Sequence, residues 1–516
     1  MNAFLAFLAA VPILNIECAR ILGVIPVASY SHQVPFQPLW KELSLREHQV
    51  TLMTTNPVKN TSLTNLTEID LSFTYEIYDK YNFTGIISDD SKSFMEMFKT
   101  IKVMLEEAGD YQFQHPQVQN LIHNKEVTFD LVIVEAQLPG MMTFSWRFNC
   151  PMIGITSLDS GMQYHLAMGN PVHPILNPDY NLPMEDPEDM SFKDRVVSLL
   201  YYLGYSFVMY HRTYPEVQKK QRKIFGNDVP HPSTLHDNMA MLFINTHPIF
   251  HSIRPLNPNT IPIGGGIHLK DPEPLPKDIQ RYLDTASEGA IFFSLGTNVN
   301  ERMVENIMPR VLEALGEVPY KVLLRTDKKL KNVPENVLVK KWVPQQDILR
   351  HPNLKGFITQ GGLQSLQEAV YNGVPLIGIP FLGDQVANVN RMVKKGYGIK
   401  LNKKDITKES LKEAVMELMT NPAYREKAEE LRDIYRDEEV PSLQRAIWWT
   451  EYVIRHKGAR HLRNPVVDMP HWKYFMLDVF VFVLALLSLL VFMCFRIIKT
   501  ICKLFSVRPD HKLKTQ

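Results

Sequence analysis

Between Trp342 and Gln385 an apolar strand end, Phe357-Ile358-Thr359, runs into Gln360-Gly361-Gly362, after which Leu363, Leu366, Ala369 and Val370 recur at helical spacing. A strand, a glycine turn and a helix in that order are the parts of an α/β sheet. Paired glycines let a ligand approach the backbone, and the free amides at a helix start, at the positive end of its dipole, suit an anion such as a diphosphate. A second short strand, 374–379, ends at Pro380 and delivers Asp384 and Gln385, while Glu368 lies within the helix between the strands. Upstream, Trp342 offers a flat face and Gln345 an amide. A glycine turn alone is often only helix punctuation, but these pieces together in one segment specify a binding site.

The rest of the chain repeats the architecture. A strand over 21–28, a helix over 38–46 and a strand over 49–54 predict a βαβ opening, and further apolar strands are expected over 129–134 and 152–155. A second α/β run starts at Gly289, with strands over 290–295 and 321–325 and helices over 304–315 and 410–419. Between them, residues 253–276 carry six prolines and Gly264 to Gly266, a composition read as a linker without regular structure. The expectation is an α/β fold of two Rossmann-like domains facing across a cleft, over 20–252 and 277–432, with terminal helices over 433–474 crossing back to the first. In open α/β sheets ligands bind beyond the carboxyl ends of strands, and His32, Glu135, Gly296, Thr297, Arg325, Gln360 and Asp384 all fall at such ends. An apolar, aromatic stretch over 196–210 is too short to span a bilayer and is expected to be a buried helix, with a membrane- or acceptor-facing helix as the alternative.

With 516 residues, 45% hydrophobic and a net charge of +1, the chain exceeds one ordinary core and is too balanced for nucleic acid binding. Residues 1–19 contain a short apolar run and read as a cleaved secretory signal. Residues 475–495 form an apolar run reaching about 30 Å as a helix, a single membrane span. Arg496, Lys499 and Lys503 open a basic tail over 496–516, so the positive-inside rule places the tail in the cytosol and the body in the lumen, as a type I protein of the endoplasmic reticulum membrane. Sequons at Asn60, Asn65 and Asn82 agree with that side. After processing the lumenal body keeps only Cys150, which excludes an internal disulfide there and reads as a small buried hydrophobe. Neither a G-x-G-x-x-G fingerprint, a Walker loop nor a metal-ligand cluster occurs in the sequence.

The segment from Trp342 to Gln385 resembles the donor signature of the UDP-glycosyltransferases, in wording closest to insect and other arthropod membrane-bound members. The likeness runs from the strand at Ile21 to the tail after Phe495, with further stretches over 293–298 and 31–40. It implies the two-domain GT-B fold and inverting, metal-independent transfer of a hexosyl group, glucose foremost, from a UDP-sugar to a hydroxyl of small lipophilic acceptors, in detoxification or hormone and pigment conjugation. It also implies no cofactor beyond the UDP-sugar co-substrate, contact with membrane lipid, and no nucleic acid partner; homo- and hetero-oligomers stay open. Ser31-His32-Gln33 resembles the catalytic histidine stretch, and an imidazole near neutrality suits removal of the acceptor proton. Glu135 stands where many members carry aspartate, with Asp130 as a fallback. By the same resemblance Gly296, Thr297, Arg325 and Gln360 to Gly362 face the diphosphate, Glu368 the ribose, Trp342 and Gln345 the uracil, and Asp384 and Gln385 the sugar. Family members often have histidine where this chain has Gln360, and together with Glu135 that departure keeps a catalytically weak UDP-sugar-binding partner subunit as the alternative.

Overall fold

The computed structural model describes residues 18–83, 85, 94–180, 182, 184, 187–296, 307–327, 329–381 and 383–506. Two all-parallel sheets organise residues up to Arg463. The first contains β1 (Arg20–Ile25), β2 (Gln49–Thr54), β3 (Leu66–Asp70), β4 (Leu131–Glu135), β5 (Met152–Thr156), β6 (Met239–Ile244) and β7 (Thr260–Pro262), in the order β3-β2-β1-β4-β5-β6-β7. The second contains β8 (Ala290–Ser294), β9 (Lys321–Arg325), β10 (Val337–Lys340), β11 (Leu354–Thr359), β12 (Leu376–Gly378) and β13 (Gly398–Lys400), in the order β10-β9-β8-β11-β12-β13.

The central strands are apolar at nearly every position because both faces are covered. Along β4, Val132 and Val134 join one core while Leu131 and Ile133 join the other; β8 divides Phe292 from Ile291 and Phe293 in the same way. Phe292 stacks on Phe357 of the neighbouring β11 at 4.9 Å, and burying each ring stabilises the layer by about 1.5–3 kcal/mol. Strand order reverses between β1 and β4 and again between β8 and β11. Each reversal sends consecutive crossover connections to opposite sides and opens a crevice at the carboxyl ends of the strands.

The helix Ser442–Arg455 returns to the first sheet, where Ala446, Ile447 and Val453 pack with Ile21, Ile25 and Phe243. Arg46, at the end of the helix Gln37–Leu45, reaches Glu451 on it at 3.2 Å. Glu47 follows with φ 70°, the left-handed residue that turns the chain toward β2.

Three expectations change. The proline-rich stretch is not free of regular structure: β7 lies inside it, as the edge strand beside β6, where Pro262 at its end leaves no ladder donor missing. The stretch over 196–210 is not buried. The helix Phe192–Val208 buries only Ser198, and runs through a π-helical turn, Met209–Thr213, into the helix Tyr214–Phe225. The C-terminal apolar helix, Leu477–Ser506, continues beyond residue 495 because Arg496, Lys499 and Lys503 are good helix formers and neither glycine nor proline occurs over 496–506. Its apolar part, Leu477–Phe505, is long enough to cross a bilayer. The expected signal residues 1–17 and tail residues 507–516 lie outside the described residues.

Cys150 is partly buried against the first core, and burial, with the Asp130 carboxylate nearby, pushes its thiol up to about 12. Asn60 is exposed, whereas Asn65 donates from its amide to the Ser44 carbonyl at 3.3 Å. Asn82 has φ 49°, and Thr84 of its sequon lies outside the described residues.

Candidate active site

Beyond β1 the chain turns into a short helix, Tyr30–Gln33. Gln33 pins it: the buried amide donates to the carbonyls of Ile25 at 3.0 Å and Val27 at 2.7 Å, and its oxygen accepts from the Thr54 hydroxyl at 2.7 Å. His32 is thereby held over the crevice between β1 and β4. Glu135, the last residue of β4, is fully buried, and its Oε1 lies 2.6 Å from His32 Nδ1. A carboxylate only accepts, so Nδ1 carries the proton and Nε2 keeps the lone pair. Ser157, just beyond β5, places its hydroxyl 3.2 Å from the same Nδ1. Glu135 Oε2 has no hydrogen-bond partner although it is buried. An unmatched buried acceptor is costly, and such cost is concentrated at functional sites. Asp130 is removed as the fallback: it precedes β4 at the opposite end and accepts from the Arg20 amide at 2.8 Å.

Across the cleft, Gly296 follows β8 with φ 72°, and a Cβ there would lie 2.2 Å from the Gln360 amide nitrogen. Only glycine leaves room for Gln360 at the end of β11. Arg325, the last residue of β9, donates to the Gly296 carbonyl at 2.7 Å and the Lys341 carbonyl at 3.2 Å, which fixes its charge at this corner. Gly361 has φ 84°, and extended Gly362 then starts the helix Leu363–Tyr371 without a side-chain cap. The first amides of that helix are left for a ligand. Thr297 lies outside the described residues.

Glu368, farther along the helix, accepts from Gln345 Nε2 at 2.7 Å and Gln346 Nε2 at 3.2 Å, and His268 Nε2 stands 3.5 Å away. Gln345 and Glu368 are therefore joined to each other, not separately poised. Trp342 is 69% exposed at the rim. Asp384 precedes the helix Gln385–Lys394 and accepts from Asn388 Nδ2 at 2.6 Å. Burial raises its carboxyl pKa, against hydrogen bonds and the His32 charge, which lower it. Gln385 is turned toward its own loop, where its Oε1 accepts from the Phe381 amide at 2.9 Å.

The two halves are tied at the site. Gln364 donates to the carbonyls of Ser31 at 3.3 Å and Ser157 at 3.2 Å, and Gln367 to Asn245 Oδ1 at 2.9 Å and the Gly264 carbonyl at 3.0 Å. The resulting cleft of about 1850 Å³ is lined from both sheets, by His32 and by every described candidate of the second half except Gly361. Glu135 lies behind His32. Sequence reasoning missed Gln346, His268, Ser157 and Gln364; Ser157 was within reach of the strand-end rule, and Gln346 adjoins Gln345. Among the described residues, no group of three His, Cys, Asp or Glu converges as a metal site.

Residues 20–511 match the profile of the family described as "UDP-glucoronosyl and UDP-glucosyl transferase". The chain belongs to the UDP-glycosyltransferase family. This UDP-glycosyltransferase is 35% identical over 509 residues, 96% of each chain, to "UDP-glucosyltransferase 2" of Dactylopius coccus. It is 30% identical over 524 residues to human "UDP-glucuronosyltransferase 2B17", covering 96% of this chain and 94% of the relative. Among solved structures, the calicheamicin glycosyltransferase CalG4 superposes with a TM-score of 0.53 at 18% identity, over 85% of this chain and 99% of the other. LpCGTa in complex with UDP does so with 0.52 at 16%, over the same shares. These likenesses establish the GT-B fold.

Proposed function

We propose that this UDP-glycosyltransferase moves a hexosyl group, glucose foremost, from a UDP-sugar to a hydroxyl of a small lipophilic acceptor, with inversion and without a metal. The observation that carries this reading is the 2.6 Å His32–Glu135 pair, in one cleft with the uncapped start of the helix Leu363–Tyr371. His32 Nε2 takes the acceptor proton as the acceptor oxygen bonds to the anomeric carbon; the bond from that carbon to the diphosphate oxygen breaks, and UDP leaves toward the helix start. Glu135 holds the ring and stabilises the imidazolium. The Gln360 amide donates a hydrogen bond to the diphosphate, and positive charge comes from Arg325 and the helix dipole. Glu368, with Gln345 and Gln346 on it, takes the ribose hydroxyls, Trp342 the face of the base, and Asp384 and Gln385 the sugar hydroxyls. Glucose is favoured over glucuronic acid by the higher identity to the insect glucosyltransferase than to the human relative. We place the body in the lumen of the endoplasmic reticulum, with the leader removed, the sequons glycosylated and the span Leu477–Phe505 as anchor.

The test is to incubate microsomes carrying the chain with UDP-glucose and a panel of phenols and steroids, and to read the anomeric proton coupling of the product. A β-glucoside, inverted from the α-linked donor, is expected. An α-glucoside sinks the single displacement, and saturable UDP-glucose binding without any product points to a binding subunit.

A further inference from the structure

The proline-rich connection does more than join the halves. After Gly266, at φ 95°, its residues 268–273 are bonded to the helix Gln345–Leu349 and the Arg350 that caps it. Asp347 accepts from the Glu273 amide at 3.0 Å and stands 3.4 Å from the Lys270 ammonium, while the Arg350 guanidinium donates to Asp347 at 2.6 Å and to the Lys270 carbonyl. Held in this way, the segment offers two backbone groups to one side chain. The Lys270 amide donates to Gln346 Oε1 at 3.0 Å, and the His268 carbonyl accepts from Gln346 Nε2 at 3.2 Å. Those contacts fix which way round the Gln346 amide lies and leave its other N–H for Glu368 Oε1, at 3.2 Å. Gln345 serves Oε2 at 2.7 Å, so each oxygen of the buried carboxylate carries one amide and keeps a lone pair, the acceptor set for two neighbouring hydroxyls.

His268 closes the arrangement. Its ring is 3% exposed, lines the cleft and places Nε2 3.5 Å from Glu368 Oε1. Among the described residues neither ring nitrogen has a hydrogen-bond partner, a cost that calls for a role. A carboxylate only accepts, so an N–H facing it attracts; at 3.5 Å it opposes rotation of the carboxylate without taking the lone pair that a hydroxyl needs.

We propose that His268 and Gln346 are positioning residues for Glu368, and that through them the connection between the halves sets the preference for a ribonucleotide donor over one lacking the ribose hydroxyls. The inference rests on the proposed assignment of Glu368 to the ribose and adds what makes that carboxylate selective. Two hydroxyls are read together only while both oxygens stay within about 0.5 Å of place, which a glutamate with free torsions does not do by itself.

The test measures the affinity of the full chain, in detergent micelles, for UDP and for 2′,3′-dideoxy-UDP, which lacks both hydroxyls. The parent is expected to hold UDP ~100-fold more tightly, the worth of two charge-assisted hydrogen bonds. His268→Leu and Gln346→Met, close in volume to the parent residues, are each expected to lower that ratio about 10-fold by weakening UDP alone, and His268→Gln, whose amide N–H reaches as far as Nε2, to restore most of it. Both affinities are taken by calorimetry on one preparation, so an unfolded fraction does not change the ratio. Glu368→Ala is expected to bring the ratio near one; if it leaves the ratio unchanged, the ribose assignment fails and the inference with it. A ratio that collapses in Glu368→Ala but stays parental in either His268→Leu or Gln346→Met overturns the inference alone, as does equal weakening of both nucleotides, which marks a packing role.

Discussion

The His32–Glu135 contact is set by length as much as by charge. Glu135 is the last residue of a buried strand whose backbone is fixed by β1 and β5, so its longer side chain decides where the imidazole can sit. Glu135→Asp, a return to the residue common in the family, withdraws the carboxylate by one methylene; kcat is expected to fall about 100-fold with the donor KM unchanged, the cost of a misplacement near 1 Å. Steady-state kinetics check this, and full activity of the variant would show that the ring finds its own position. Asp384 makes a pH-dependent case. Burial raises its folded carboxyl pKa, so its contribution to stability is present below the ordinary carboxylate range and is lost as pH rises through the raised value. Asp384→Asn, neutral throughout, is therefore expected to melt higher than the parent at neutral pH and level with it in acid, while binding UDP-glucose roughly 10-fold more weakly through loss of a charged acceptor. Calorimetry across pH and donor titration read the two effects separately. At this scale Glu135 and the Gln360 turn were legible because each closes an apolar strand run, and His32 because Ser31-His32-Gln33 follows the first strand in a stretch that resembles the family's catalytic histidine. His268 was not, since it sits in a stretch whose prolines hide that Gly264 to Gly266 bend it back under Glu368.

Among the elements, the helix Leu363–Tyr371 carries two duties: its start faces the cleft, and its edge at Gln364 and Gln367 joins the halves. Gln367 is completely buried and donates to Asn245 Oδ1 of one half and to the Gly264 carbonyl, which also accepts from the Tyr435 hydroxyl at 2.7 Å, so Gln367→Ala strands the Asn245 acceptor and is expected to cost about 1–3 kcal/mol of unfolding free energy. Urea denaturation of the variant tests it; an unchanged midpoint would mean water replaces the amide. The amphipathic period of this helix made it visible in the sequence. The helix Phe192–Val208 shows where that reading fails: apolar residues at helical spacing do not state whether the surface they make is covered, so a core helix and an exposed one look alike. For β7 the prolines misled in the other direction, because an edge strand needs few donors.

For the whole molecule, apolar strand runs separated by helical segments were enough to foresee two parallel sheets, since strands covered on both faces admit little else. Strand order was not legible; it emerges from packing and creates the two crevices that bring His32 and Gln360 into one cleft. Cooperation across that cleft is the central claim, and it is tested most directly by comparing acceptor-dependent UDP release by the intact chain and by His32→Ala, with UDP affinity measured on the same preparations. The account expects turnover to fall roughly 100- to 10,000-fold with UDP affinity unchanged. Turnover that survives the substitution would contradict it.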